Sequence, residues 1–175
     1  MNLCDYDSIR ALLGRHGFHF SKSMGQNFLI DPEIPYRIAA SSQADRSCGV
    51  LEIGAGFGVL TDQLARVAKK VVCVEIDQRL LPVLDETLAE YDNVTIVNRD
   101  VMETDLKALI AEHFAGMEVV VCANLPYNIT TPAITTLLEA NCFEQITVMI
   151  QKEVAQRIAA RPGTADYSAF TVFCQ

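Results

Sequence analysis

The chain has 175 residues, enough for one domain with a substantial core, because a protein of this size buries roughly 70% of the surface its unfolded form exposes. Apolar residues make up 50% and charged residues 21%, with 6 Pro and 9 Gly, which excludes a disordered, fibrous or low-complexity protein. A formal net charge of -8 excludes a generally basic nucleic-acid binder and confines any contact with phosphate to a local surface.

The first segment supplies one such surface. From Ser8 to Ile30 there is no Asp or Glu, while Arg10, Arg15, His16, His19 and Lys22 all occur. The stretch reads either as a phosphate-facing surface or as an ordinary solvated helix and loop. Two helices are expected here, Tyr6 to Gly14 and Asp31 to Ser41, the second with Asp31 as N-cap and Pro32 at its first position.

From there short apolar, β-branched runs alternate with longer amphipathic segments. Strands are expected at Gly49 to Ile53, Val71 to Ile76, Val94 to Asn98, Val119 to Ala123 and Ile146 to Ile150. Helices fill the intervals at about Leu60 to Ala68, Gln78 to Tyr91, Leu106 to His113 and Pro132 to Asn141, and continue at Lys152 to Ala160 and Ser168 to Cys174. Nearly continuous hydrophobic strands belong to a parallel sheet covered on both faces, and right-handed crossovers make it a doubly wound α/β layer. Residues 1–175 are expected to form one cofactor-binding catalytic domain, with an N-terminal cap to about residue 42 and the sheet core from about 43.

The six cysteines contain no CxxC pair, and Cys73 and Cys122 sit inside apolar runs, so they read as core thiols in a reducing compartment. The N-terminus has no apolar stretch after a basic start, and a cytosolic chain is expected. The uncharged stretch from Val119 to Leu138 holds Asn124, Pro126, Asn128 and Pro132, a poor composition for a membrane span. No metal site is expected.

In sheets of this kind ligands bind beyond the carboxyl ends of the strands, so the residues that follow each strand carry the functional signal. After the first strand comes Glu52-Ile53-Gly54-Ala55-Gly56-Phe57-Gly58, a glycine turn that lets backbone N–H groups approach a ligand or simply makes a tight bend. Its GxGxG spacing departs from the GxGxxG of dinucleotide binders. The second strand ends in Val74-Glu75-Ile76-Asp77. Glu75 can accept hydrogen bonds from both hydroxyls of a ribose, while Asp77 is expected to cap the next helix. The third ends in Asn98-Arg99-Asp100-Val101-Met102. Alone, Asp100 is a turn or cap residue; in series with the glycine turn and Glu75 it becomes an acceptor for an adenine amino group, with the Val101 N–H donating to a ring nitrogen.

The fourth strand ends in Asn124-Leu125-Pro126-Tyr127, the most specific feature of the chain. An adenine amino nitrogen is a poor nucleophile because its lone pair is delocalised into the ring. Two fixed acceptors, the Asn124 side-chain oxygen and the Leu125 carbonyl, can hold its hydrogens so that the nitrogen pyramidalises toward a methyl donor. Pro126 stiffens the turn, and Tyr127 offers a face for a base taken out of its stack.

Together Gln26-Asn27-Phe28-Leu29, the glycine turn, Val74-Glu75-Ile76-Asp77, Asp100, Asn124-Leu125-Pro126-Tyr127 and Gln151-Lys152-Glu153-Val154-Ala155 resemble the small-subunit ribosomal RNA adenine dimethyltransferase family, from about Lys22 onward. The resemblance implies a Rossmann-like methyltransferase sheet with S-adenosylmethionine as donor. It implies N6-dimethylation of two adjacent adenines in small-subunit ribosomal RNA within a pre-assembled subunit, and a role in ribosome assembly. It also implies that Gln26, Asn27 and Leu29 close over the methionine end of the cofactor and that Gly54 and Gly56 line it. Glu75 would then hold the ribose and Asp100 the adenine, with Ile76 and Val101 also in the cofactor site, and Asn124 would serve both cofactor and target. Further strands, a helical domain and a stacking aromatic are expected after Gln175, so the last strands of the sheet are expected to be missing from residues 1–175, and RNA methylation by these residues alone should be near background. Two other readings stay open: a large-subunit adenine methyltransferase of the macrolide-resistance type, and a non-catalytic assembly or transcription factor that retains the fold. A nicotinamide dehydrogenase fits poorly, because the glycine spacing is wrong.

Overall fold

The computed structural model of the protein describes residues 3–17, 29 and 31–175. In chain order the elements are α1 (Tyr6–Arg15), α2 (Glu33–Ser41), β1 (Gly49–Ile53), α3 (Val59–Val67), β2 (Lys70–Val74), α4 (Leu81–Thr87), β3 (Val94–Val97), α5 (Leu106–His113), β4 (Val119–Asn124), α6 (Thr130–Ala140), β5 (Gln145–Met149), α7 (Lys152–Ile158) and α8 (Ala169–Cys174). The five strands lie in the order β3-β2-β1-β4-β5 and every pair is parallel. The chain winds outward from β1 through β2 to β3, then returns to the other side of β1 for β4 and β5. Strand order therefore reverses between β1 and β4, which is where such a sheet opens a crevice.

Alternation along the strands divides the core in two. Val50, Val71, Cys73, Val120 and Cys122 pack on one face with Leu12 and Leu13 of α1, Ile38 of α2, Leu64 of α3 and Leu84 of α4. Leu51, Ile53, Val72, Val74 and Val121 face the other way, toward Leu109 of α5 and Leu137 of α6. β1 is buried along its whole length, whereas β3 and β5 at the sheet's edges are half-buried.

Several boundaries differ from the sequence reading. The helix expected from Gln78 to Tyr91 is broken: a 3-10 turn at Gln78–Leu80 leads into α4, and Pro82 occupies its first turn, where a missing N–H costs nothing. The second strand stops at Val74 rather than Ile76 because the Asp77 N–H folds back onto the Glu75 carboxylate at 2.9 Å. Pro32 stands at the N-cap of α2 instead of inside it, and Asp31 Oδ1 still accepts the Glu33 N–H at 3.0 Å. Asp77 caps its turn as expected, accepting the Arg79 N–H at 3.1 Å. None of the six cysteines is in a disulfide, and Cys73 and Cys122 are fully buried. Among the described residues no helix is long and apolar enough to cross a membrane.

Candidate active site

The carboxyl ends of β1 to β4 surround a cavity of about 350 Å³, within the range of small-molecule sites. β1 contributes the glycine turn, whose three glycines take φ values of 75°, 58° and 86° at Gly54, Gly56 and Gly58. Around Gly54 the place where a Cβ would stand has no heavy atom within 4 Å, so the bare backbone faces open space that a ligand can enter.

β2 delivers Glu75, which is 4% exposed yet lines the cavity. Its Oε2 accepts the Gly56 N–H at 3.0 Å and its Oε1 the Asp77 N–H at 2.9 Å. A carboxylate has about four acceptor sites, so acceptor capacity remains for hydroxyl groups in the cavity. Burial pushes the Glu75 carboxyl above its ordinary range, partly opposed by the backbone donors of Asp77, Gly56 and Ile76. Ile76 also lines the cavity and is 56% exposed. Asn98, at the end of β3, donates to the Glu75 carbonyl at 2.7 Å and ties the two strand ends together.

β3 delivers Asp100 and Val101 to the same wall. Asp100 Oδ1 accepts the Met102 N–H at 2.8 Å and so caps the 3-10 turn Val101–Glu103. The capping role read from sequence is therefore real, and it leaves Oδ2 available toward the cavity. The Val101 N–H has no acceptor among the described residues.

β4 ends at Asn124, which with Leu125 and Pro126 lines the opposite side. The Leu125 N–H donates to the Met149 carbonyl at 3.2 Å, which locks the turn to β5. The Pro126 carbonyl is taken by the Ile129 N–H at 3.2 Å and the Thr130 hydroxyl at 2.9 Å. Its neighbour, the Leu125 carbonyl, has no donor among the described residues and is available as an acceptor.

Tyr127 stands outside the cavity wall. It does not line the cavity; its ring is 52% exposed beside Pro126 and Asn128, which do. Leu29 lines the cavity, whereas Gln26 and Asn27 lie outside the described residues. Two basic residues of the N-terminal stretch are already engaged, since Arg15 pairs with Glu86 and His16 Nε2 lies 2.7 Å from the same carboxylate.

Sequence reasoning assigned no role to Glu52, which is 1% exposed and also lines the cavity. Cys73 Sγ donates to its Oε2 at 3.1 Å, and burial pushes its carboxyl up to about 7. The signal in the sequence was an acid inside the apolar run Val50-Leu51-Glu52-Ile53. Arg99, Met102, Asn128 and Ile129 line the cavity as well; each is within two residues of a position singled out from sequence.

The arrangement offers two buried acids, an unpaired N–H donor on the β3 side and an unpaired carbonyl on the β4 side. This donor and acceptor set suits a cationic nucleoside whose ribose rests at β2, with its base toward β3 and its reactive end toward β4.

The chain matches the family described as ribosomal RNA adenine dimethylase over residues 17–175. It is 51% identical over 168 residues to the ribosomal RNA small subunit methyltransferase A of Anoxybacillus flavithermus, covering 95% of this chain and 57% of that protein. The chain thus spans little more than half the length of that curated relative. Its structure is similar to a dimethyladenosine transferase from Plasmodium falciparum, with TM-score 0.70 and 32% identity over 82% of this chain and 50% of the other. It is also similar to the 23S rRNA methyltransferase ErmE, with TM-score 0.64 and 33% identity over 75% of this chain and 50% of the other. With a parallel Rossmann-like methyltransferase sheet, these strand-end residues and a match over nearly its whole length, the chain belongs to the ribosomal RNA adenine dimethylase family.

Proposed function

We propose that this chain is the cofactor-binding and catalytic part of an S-adenosylmethionine-dependent enzyme that dimethylates N6 of two adjacent adenines in small-subunit ribosomal RNA. The observation that carries this reading is the convergence of four strand ends on one cavity, with the Leu125 carbonyl open on its β4 side. The name of the Anoxybacillus relative supports the small-subunit substrate.

The donor supplies a methyl group on a sulfonium sulfur, ready for direct displacement. Glu75 receives the ribose hydroxyls through its remaining acceptor sites, while Asp100 and the Val101 N–H read the donor's adenine. Gln26, Asn27 and Leu29 close the methionine end, a role that rests on the resemblance. The Asn124 side-chain oxygen and the Leu125 carbonyl accept the two hydrogens of the target amino group and aim its lone pair at the methyl carbon. Pro126 fixes that turn, and the exposed ring of Tyr127 receives the face of the extruded base. The substrate is an assembly-stage subunit, where the target loop is accessible.

The test is methyl transfer by the full-length protein to assembly-stage small subunits, with the products mapped by primer extension. Two adjacent dimethylated adenines in one small-subunit loop are expected. Modification of a single adenine in large-subunit RNA, or none in either, would overturn the assignment.

A further inference from the structure

Glu52 is the group in the cavity with no task in the mechanism above. It sits in the middle of the sheet, in register with Cys73 on β2 and Cys122 on β4. Residues in register across parallel strands point to the same face, so a carboxyl lies between two thiols beneath the cavity floor. Facing it are Cys73 and Glu75 from β2, Cys122 from β4 and the Thr61 hydroxyl from α3. Burial holds Cys73 well above its ordinary value and Cys122 up to about 12, so both thiols stay protonated near neutral pH. No described cation pairs with Glu52.

Its position relative to the cofactor follows from strand order. With the ribose at β2, the adenine at β3 and methyl transfer at β4, the sulfur end of the donor lies over β1 and β4, above Glu52. The donor and its demethylated product share every group except the methyl, and with it one positive charge on sulfur. A carboxylate in a desolvated site feels that charge strongly, whereas a neutral acid does not.

We propose that Glu52 is a charge-discriminating residue of the cofactor site: it is ionised when the cationic donor fills the cavity and regains a proton when the uncharged-sulfur product replaces it. Donor binding is thereby favoured over rebinding of product. The inference rests on the S-adenosylmethionine reading of the cavity. A cation lowers the pKa of a nearby carboxyl, so donor affinity gains from ionised Glu52. That gain is absent at low pH, where Glu52 is protonated in both complexes, and grows as pH rises toward the free value of about 7.

The experiment is calorimetric titration of the chain with S-adenosylmethionine and, separately, S-adenosylhomocysteine at pH 5, 6 and 7, in buffers of different ionisation enthalpy. This range lies below that in which the ligands' α-amino groups titrate, and Glu75 meets the same ribose in both complexes, so whatever pH dependence it adds persists in Glu52→Gln and is subtracted there. The donor-to-product affinity ratio should rise about fivefold from pH 5 to pH 7, the size expected there of a one-unit difference in Glu52 pKa between the complexes. Donor binding at pH 6 should release more protons than product binding, and both effects should fall sharply in Glu52→Gln. A flat ratio with equal proton counts in the unmodified chain, a measurement that needs no variant to fold, overturns the role of Glu52 and leaves the cofactor reading intact. An unchanged pH dependence in folded Glu52→Gln overturns it equally. Failure of both ligands to bind the folded chain overturns the cofactor reading and this inference with it.

Discussion

The Glu75 carboxylate accepts the Gly56 backbone N–H at 3.0 Å, so the end of β2 holds in place the glycine turn that follows β1. One side chain thus shapes the floor of the cavity and presents its acceptors to what enters. Glu75→Ala should weaken S-adenosylmethionine binding by about 1.5–3 kcal/mol through loss of charge-assisted hydrogen bonds to the ribose. It should also lower the unfolding midpoint, because the Gly56 and Asp77 amides lose their acceptor. Calorimetry together with thermal unfolding reads both effects. Unchanged affinity in the folded variant would remove Glu75 from the site.

Asn124 ends β4 on the side of the cavity where the target amino group must arrive. In the full-length enzyme, Asn124→Ala should lower single-turnover methylation about 100-fold or more, since an acceptor needed chiefly in the transition state has gone. Cofactor affinity should fall far less. Wild-type turnover on assembly-stage subunits would exclude the role.

Gly49 opens β1 directly against the buried Phe114 ring. A Cβ added there would stand 2.2 Å from one ring carbon and 2.6 Å from the next, inside contact distance. Gly49→Ala should therefore destabilise the chain by about 1–3 kcal/mol or more, and adding Phe114→Leu should recover part of the loss. Urea unfolding of the two variants measures it. A Gly49→Ala chain as stable as the wild type would show that the ring moves aside freely.

Burial of Glu52 has a consequence for folding as well. Its carboxyl is pushed from an ordinary 4.5 up to about 7, so the unfolded chain gives up this proton more readily than the folded one. The stability it contributes is fully present below pH 4.5 and lost as pH rises through about 7, on the order of 3 kcal/mol across that window. Glu52→Gln can keep the bond from Cys73 through its amide oxygen and carries no titratable group, so its stability should lack this loss. Glu75 adds a slope of the same sign to both chains, and the difference between them isolates Glu52. Urea unfolding from pH 4.5 to pH 8 makes the comparison; parallel curves would show that Glu52 does not titrate as the structure places it.

The elements themselves were legible in the sequence because their periods are local. β1 and α5 fall on the residues that alternation and helical spacing picked out, and the other elements shift by one to a few residues or, at α4, break at a proline. The chemical types at the strand ends were legible too, since a glycine turn, Glu75, Asp100 and Asn124 recur at successive strand-to-helix junctions.

Tertiary structure decided what those residues face. Strand order depends on which apolar faces bury one another across long separations, and only that order brings the ends of β1 to β4 around one cavity. The same packing turns Tyr127 out of the cavity lining, takes up the Pro126 carbonyl while leaving the Leu125 carbonyl open, and sets the Glu52 carboxyl between two thiols. A sequence states that a residue carries an acid. Only the burial around it, which desolvates the charge and removes competing partners, determines whether that acid caps a turn, binds a hydroxyl or responds to a cation.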